Sequence, residues 1–389
     1  KLQWPKSMRW GAHTQAFIRP VQWIVALFGG EVVDVTFADV ASGRTTRGHR
    51  FLAPTPFEVT DASGWLEGLR AAKVEPDAST RREIIRAGAE RLAASVGGVA
   101  QIDDKLLTEV SGLAEWPNPG LGAFEERFLE VPDCVLTTSM KSHQKYFPIV
   151  DESGALLPHF VVVMEGESSA PEVVLQGNGR VLRARLADAA FFFDQDQKRG
   201  LDHFVSKLGE RRFLEGLGTM ADKAHRLSNL SGKMAGLLAP GDEDTAALAT
   251  RAGLLAKADL STDMVNEFAS LQGQMGEIYG TLAGEPAAVS SAMAEHYMPR
   301  FAGDTLPSSI VGASVALADR FDSIVGCFSL GLEPTGSADP YALRRQALGI
   351  MRLLETFRSA PSLSEALEQV REVYGDALSR PWDETAETI

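Results

Sequence analysis

The feature that most constrains this chain is a change of hydrophobic period near residue 201. Before it, short β-branched and aromatic runs alternate with brief helical stripes. After it, apolar residues recur at the three- and four-residue spacing of amphipathic helices. A chain of 389 residues exceeds what one compact core accommodates, so the break reads as a domain boundary. The fold class expected is α+β. A mixed α/β domain is predicted for residues 1–200, an all-α domain for 201–378, and a polar tail or linker for 379–389.

In the first half, Gln22–Leu27 and Glu31–Phe37 read as β runs joined through Gly29 and Gly30, a hairpin signal. A helix is predicted to begin near Thr80, capped with Glu83, with Ile84, Ile85, Gly88 and Leu92 on one face. Asp103 opens a second helix, striped by Leu106, Leu107, Val110 and Leu113. β character returns at Cys134–Thr138, Tyr146–Val150 and His159–Met164, with a turn at Asp151–Gly154. The pattern predicts an antiparallel or mixed sheet carrying helices, not a βαβ repeat. In the second half, Phe204, Leu208 and Phe213 begin the helical texture, which continues over 220–238, 250–268, 287–297 and 310–328. Asp339 and Pro340 are read as cap and first position of a helix striped by Leu343, Ala347, Ile350, Leu354 and Phe357. Ser362 and Glu365 make a capping box.

Composition removes several function classes. With 44% hydrophobic and 23% charged residues the chain is not disordered. No apolar run approaches the roughly eighteen residues of a membrane span. A net charge of −14 argues against a surface that grips nucleic acid all over, and confines RNA contact to local, salt-sensitive basic patches. Cys134 and Cys327 fit neither a disulfide framework nor a metal knuckle, which points to a reducing cytosol and a cytoplasmic protein. Lys1–Trp10 lacks an initiator methionine and a signal-peptide core, so it reads as a cut into a longer chain, and Asp383–Ile389 reads as a polar tail. No phosphate-cradling loop is recognisable, and Gly177-Asn178-Gly179 is read as a turn. No Gly-x-Ser-x-Gly elbow supports a serine hydrolase.

Three basic clusters are candidate RNA contacts. Lys141, His143 and Lys145 alternate, so on a strand they would share a face. Arg180, Arg183 and Arg185 form the second cluster, followed by Lys198 and Arg199. Arg344 and Arg345 form the third, on the polar side of a buried helix. Arginine suits phosphate because its planar fork offers paired donors. Structural ion pairing is the competing reading, with Asp188, Asp194 and Asp196 close by the second cluster. Phe191–Phe193 is expected to be buried near the domain junction.

His225, Asp259 and Asp319 follow one another in an order that resembles the HD phosphohydrolase superfamily, where helix-borne ligands hold a divalent metal that generates hydroxide. Here the His-Asp pair reads Ala258-Asp259. A methyl group donates nothing to a metal, so the expectation is a retained HD-like fold with a degenerate site, no metal and no catalytic residue.

From end to end the chain resembles the β subunit of the bacterial heterotetrameric glycyl-tRNA synthetase. The resemblance is sharpest at Lys141–Pro148 (KSHQKYFP), Arg183–Phe193 (RARLADAAFFF) and Asp339–Arg345 (DPYALRR). Arg19–Trp23, Arg47–Phe51, Glu115–Pro117, Arg251–Leu255, Gln272–Gly276 and Pro299–Asp304 continue it in family order. Asn118–Gly122 departs from the family pattern, a difference expected to be confined to a local loop. The resemblance implies a B3/B4-like first domain and an HD-like second domain. It implies a partner α subunit that uses ATP to activate glycine, leaving this chain without a cofactor of its own. It also implies tRNA(Gly) as a second partner in an α2β2 assembly. A working metal-dependent phosphohydrolase and an aminoacyl-tRNA editing hydrolase are the alternatives weighed. Editing is needed when a smaller or isosteric competitor enters the synthetic pocket, and glycine has no smaller competitor.

Overall fold

Alternating apolar residues place Phe147, Ile149 and Val161 on one face of a four-stranded sheet, and all three are fully buried. The computed structural model describes residues 4–357 and 361–388, so the first three residues of the opening segment and Ile389 of the tail lie outside it. The chain divides into two compact units between Ala187 and Asp188.

In the first unit the sheet order is Val99–Ala100, Phe147–Val150, Leu156–Glu165, Pro117–Ala123, antiparallel throughout. The turn at Asp151 closes its central hairpin, the Asp151 carboxylate accepting from the amides of Ser153 and Ala155 at 2.8 and 3.0 Å. Helix α1 (Ala62–Ala71) precedes α2 (Ala78–Ala94) and α3 (Asp104–Ser111). Ile85, Ala89 and Ala93 of α2 and Leu107 of α3 join Phe147 and Ile149 in one core. Gly88 lets α2 approach the sheet: a Cβ there would lie 2.6 Å from the Pro119 ring.

Several sequence readings hold in this unit. Leu27–Phe28 pairs with Glu31–Val32 around the two glycines, and Asp103 caps α3. Others need correction. Helix α2 starts before Thr80 because Asp77 takes the cap, accepting from the Ser79 amide at 2.8 Å. Ile84 turns outward and Leu113 is exposed. Cys134–Thr138 is not a strand but part of α4 (Asp133–Thr138), whose first turn carries an aspartate after Pro132. Ser139–Gln144 continues as a wide helical turn that ends at Lys145 in the left-handed region, φ 61°. Gly177 and Gly179 are not a turn; they lie inside α5 (Pro171–Arg199). Leu182 and Leu186, a helical step apart, are fully buried and anchor that helix.

The second unit opens with the end of α5 and is helical except for one antiparallel hairpin, Arg212–Leu214 with Gly218–Thr219, which corrects the all-α expectation. It contains α6 (Leu201–Lys207), α7 (Met220–Leu238), α8 (Glu243–Leu255), α9 (Asp263–Glu267), α10 (Gln274–Leu282), α11 (Ala287–Glu295), α12 (Ile310–Ser329), α13 (Leu343–Thr356), α14 (Leu363–Tyr374) and α15 (Trp382–Thr388). Sixteen of the 20 residues of α12 are buried, as an axial helix that is apolar nearly all round requires. Leu227, Leu230, Leu317, Phe321, Ile350 and Val370 belong to one core.

The Ser362–Glu365 capping box is present. Pro340 does not begin a helix: α13 starts at Leu343, after Ala342 in the left-handed region. Asp339 still receives the free amides, from Leu343 at 2.8 Å and Arg344 at 3.1 Å. Of the phenylalanine run, Phe193 is buried while Phe191 is 58% exposed, because successive residues point about 100° apart on a helix. Ala347, expected on the buried stripe of α13, is exposed. The segment predicted to be a polar tail or linker contains α15, with Trp382 packed on the core and Thr385 buried.

Candidate functional site

The polar centre of the helical unit is built on Asp319 of α12. Its two carboxylate oxygens accept from two lysines, Lys223 of α7 at 2.9 Å and Lys257 at 2.8 Å. Lys257 follows α8 by two residues. Lys223 also donates to Asp322 at 2.8 Å and to the Ser323 hydroxyl at 2.9 Å. Asp322 takes a further bond from Arg226, 2.6 Å away. Lys257 contacts His296 Nε2 at 2.9 Å, while His296 Nδ1 faces the Ala292 carbonyl at 3.3 Å. Arg320 spends its guanidinium on the carbonyls of His296, Ala316, Tyr297 and Pro299.

These contacts set the charge states. Burial alone would raise Asp319, but Lys223 and Lys257 hold it well below the ordinary carboxylate range. Burial pushes Lys223 down, yet Asp319 and Asp322 together outweigh it and the net shift is upward. Lys257 has one close carboxylate and a lysine neighbour, so burial prevails and its pKa is lowered. Burial and the Lys257 charge depress His296 well below its ordinary value, so its imidazole is neutral.

The three positions of the HD-like pattern are not gathered together. Asp319 sits at the centre. Asp259 is fully buried one short turn beyond Lys257, accepting from the Gly273 amide through one oxygen. Its other oxygen has no hydrogen-bond partner among the described residues, and burial raises its pKa to about 6. His225 is exposed on α7, two residues and hence about 200° around the helix from buried Lys223. Both oxygens of the one central carboxylate carry ammonium groups. Among the described residues, no three His, Cys, Asp or Glu side chains are gathered to hold a metal.

The residues missed by sequence reasoning are Lys223, Lys257, His296 and Arg320. Lysine and arginine are ordinarily surface residues, and their burial becomes visible only when helices bring Asp319 and Asp322 to them. The neighbouring Ala258, which breaks the metal pattern, was the nearest available signal.

The basic clusters have separate fates. Lys141 donates to Gln101 at 3.1 Å and Lys145 pairs with Glu109 at 2.8 Å. With His143 they belong to a helical turn, not a strand, so alternation does not align them. Arg180, Arg183 and Arg185 are exposed on α5. Arg183 pairs with Glu125 at 2.7 Å, and Arg180 and Arg183 line the same groove. Asp196, expected to balance this cluster, is buried and receives the amides of Asp263 and Met264 and the Tyr279 hydroxyl. Arg344 is exposed, while Arg345 faces a cavity above Asp319.

Fold and site together define a mixed α/β protein with a helical second unit, whose polar centre is held by side-chain ion pairs. A family model described as glycyl-tRNA synthetase beta subunit matches residues 1–388. A relative in Hahella chejuensis, named glycine–tRNA ligase beta subunit, is 45% identical over 373 residues, covering 96% of this chain and 53% of the relative. The relative of that name in Bacillus subtilis is 48% identical over 353 residues, covering 91% and 52%. The chain belongs to the glycyl-tRNA synthetase beta subunit family. It spans about half the length of the curated relatives it matches.

Proposed function

We propose that this chain serves the ATP-dependent attachment of glycine to tRNA(Gly) by binding tRNA and by assembling with a catalytic α subunit. It contributes no bond-making chemistry of its own and acts in the cytoplasm. The first unit is read as B3/B4-like and the second as HD-like. The observation that carries the non-catalytic reading is the double lysine clamp on Asp319. Ammonium groups stand on the carboxylate that a metal-dependent hydrolase would use to hold its ion. Family membership over residues 1–388 supports the synthetase context.

For RNA contact, exposed Arg180 and Arg183 on one face of α5 are the favoured pair, because they share a groove and reach solvent. The test is tRNA(Gly) binding at two salt concentrations, with and without added α subunit. Arg180→Gln with Arg183→Gln is expected to weaken binding and to reduce the salt slope by about one per lost phosphate contact. Glycyl-tRNA synthesis by this chain alone would refute the division of labour. Unchanged affinity and slope in the double variant would remove α5 from the RNA surface.

A further inference from the structure

Above Asp319 lies a cavity of about 400 Å³, within the range of roughly 300–1,000 Å³ typical of small-ligand pockets. Its charged lining comprises Lys223, Lys257, Arg300, Arg320 and Arg345 against the single carboxylate of Asp319. That is an excess of positive charge concentrated in one concavity of a chain whose net charge is −14. The cations are arranged in depth. Lys223 and Lys257 are buried at the floor, Arg320 is locked to four carbonyls, and Arg300 and Arg345 are exposed at the rim.

Ion pairing accounts for some of these charges but not all. Asp322 balances Lys223 and Arg226 from behind, and Asp304 pairs with Arg300 at 3.1 Å. Asp319 alone answers the remaining floor charge of Lys257. Among the described residues, no hydrogen bond or ion pair engages the Arg345 guanidinium, in a protein with carboxylates to spare. The rim beside it contains Ala342 at φ 54°, a conformation that L residues rarely adopt. The Gln272 and Gln346 side chains add amide groups to the wall.

We infer that this cavity binds a phosphate monoester of mononucleotide size, the phosphate held between the Arg345 fork at the rim and the Lys257 ammonium below. A forked guanidinium and a point-charge ammonium are complementary ways of holding phosphate oxygens. The low-dielectric floor strengthens the ammonium contact. The aromatic walls, Phe213 and Tyr297, suit the organic part of such a ligand. A divalent cation would be repelled by the same lining. The inference does not depend on the role of the α5 arginines in RNA binding.

The test is isothermal titration of this chain with AMP, adenosine and inorganic phosphate, together with a tRNA(Gly) binding measurement. Saturable 1:1 AMP binding is expected, with adenosine at least about tenfold weaker and Arg345→Gln weakening AMP by about tenfold or more. Arg91→Gln, at an exposed position of α2 with no assigned role, is the control and is expected to leave AMP binding unchanged. Arg345 is exposed, so its variant is expected to fold, as circular dichroism would verify. AMP binding equal to that of adenosine, or unaffected by Arg345→Gln, would overturn the inference. So would the absence of binding by AMP and phosphate alike. Phosphate binding without AMP binding would refute the mononucleotide size. Loss of tRNA affinity in Arg345→Gln without any AMP binding would assign the cavity to RNA and refute the small-ligand reading.

Discussion

Replacing Asp319 with asparagine keeps the shape of the side chain and removes the one negative charge between two buried ammonium groups. Lys223 retains Asp322 and Ser323 as acceptors, whereas Lys257 retains only His296. Breaking a buried ion pair from one side costs about 3–5 kcal/mol, because the remaining charge stays desolvated. At roughly 2–4 °C per kcal/mol for a domain of this size, the helical unit of Asp319→Asn should melt about 6–20 °C lower by scanning calorimetry. The sign with pH follows from the depressed Asp319 pKa. A carboxylate whose folded pKa lies below its unfolded value, about 3.9, stabilises fully above that value and loses the contribution as pH falls toward the folded pKa. The gap between native and Asp319→Asn should therefore be full at pH 6 and shrink below about pH 4. Adding Lys257→Met to the variant should recover part of the loss by removing the stranded ammonium. A melting change under about 2 °C, or a gap that widens in acid, would refute the clamp.

Asp259 carries the opposite sign. Its folded pKa of about 6 exceeds the unfolded value, so the native state holds an extra proton between about pH 4 and 6 and stability falls as pH rises through that window. Asp259→Asn should flatten this decline, and urea titrations at pH 4.5 and 7 would reveal it; an unchanged pH slope would exclude Asp259 as its source. In the first unit, a Cβ on Gly122 would lie 2.2 Å from the buried Phe160 ring across the strand pair. Gly122→Ala should cost about 1–3 kcal/mol by overpacking, measured by chemical denaturation, and no loss would mean the ring moves aside freely.

Local signals survived the passage from sequence to fold best. The glycine hairpin at Leu27–Val32, the Asp103 cap, the Asp151 turn and the Ser362 capping box all depend on a few neighbouring atoms, and each is present. Helix α7 spans the predicted 220–238 range because its apolar period runs unbroken. The failures lie where neighbours in space decide. A short apolar run such as Cys134–Thr138 suits a strand or a helix equally, and Pro132 with the surrounding core selected the helix. Gly177 and Gly179 are helical because Leu182 and Leu186 bury the following turns of α5.

The candidate site divides in the same way. From sequence alone came the order His225, Asp259, Asp319 and the alanine at 258, and with them the expectation of a degenerate site. The net charge of −14 was legible there too, and with it the expectation that RNA contact is confined to local patches. Only the tertiary structure decided what surrounds Asp319. Lys223, Lys257 and Asp319 stand 34 and 62 positions apart along the chain, on segments that meet only when α7, α8 and α12 pack. Burial of a charge is settled by the partner that arrives from elsewhere, and period and composition contain no record of that meeting.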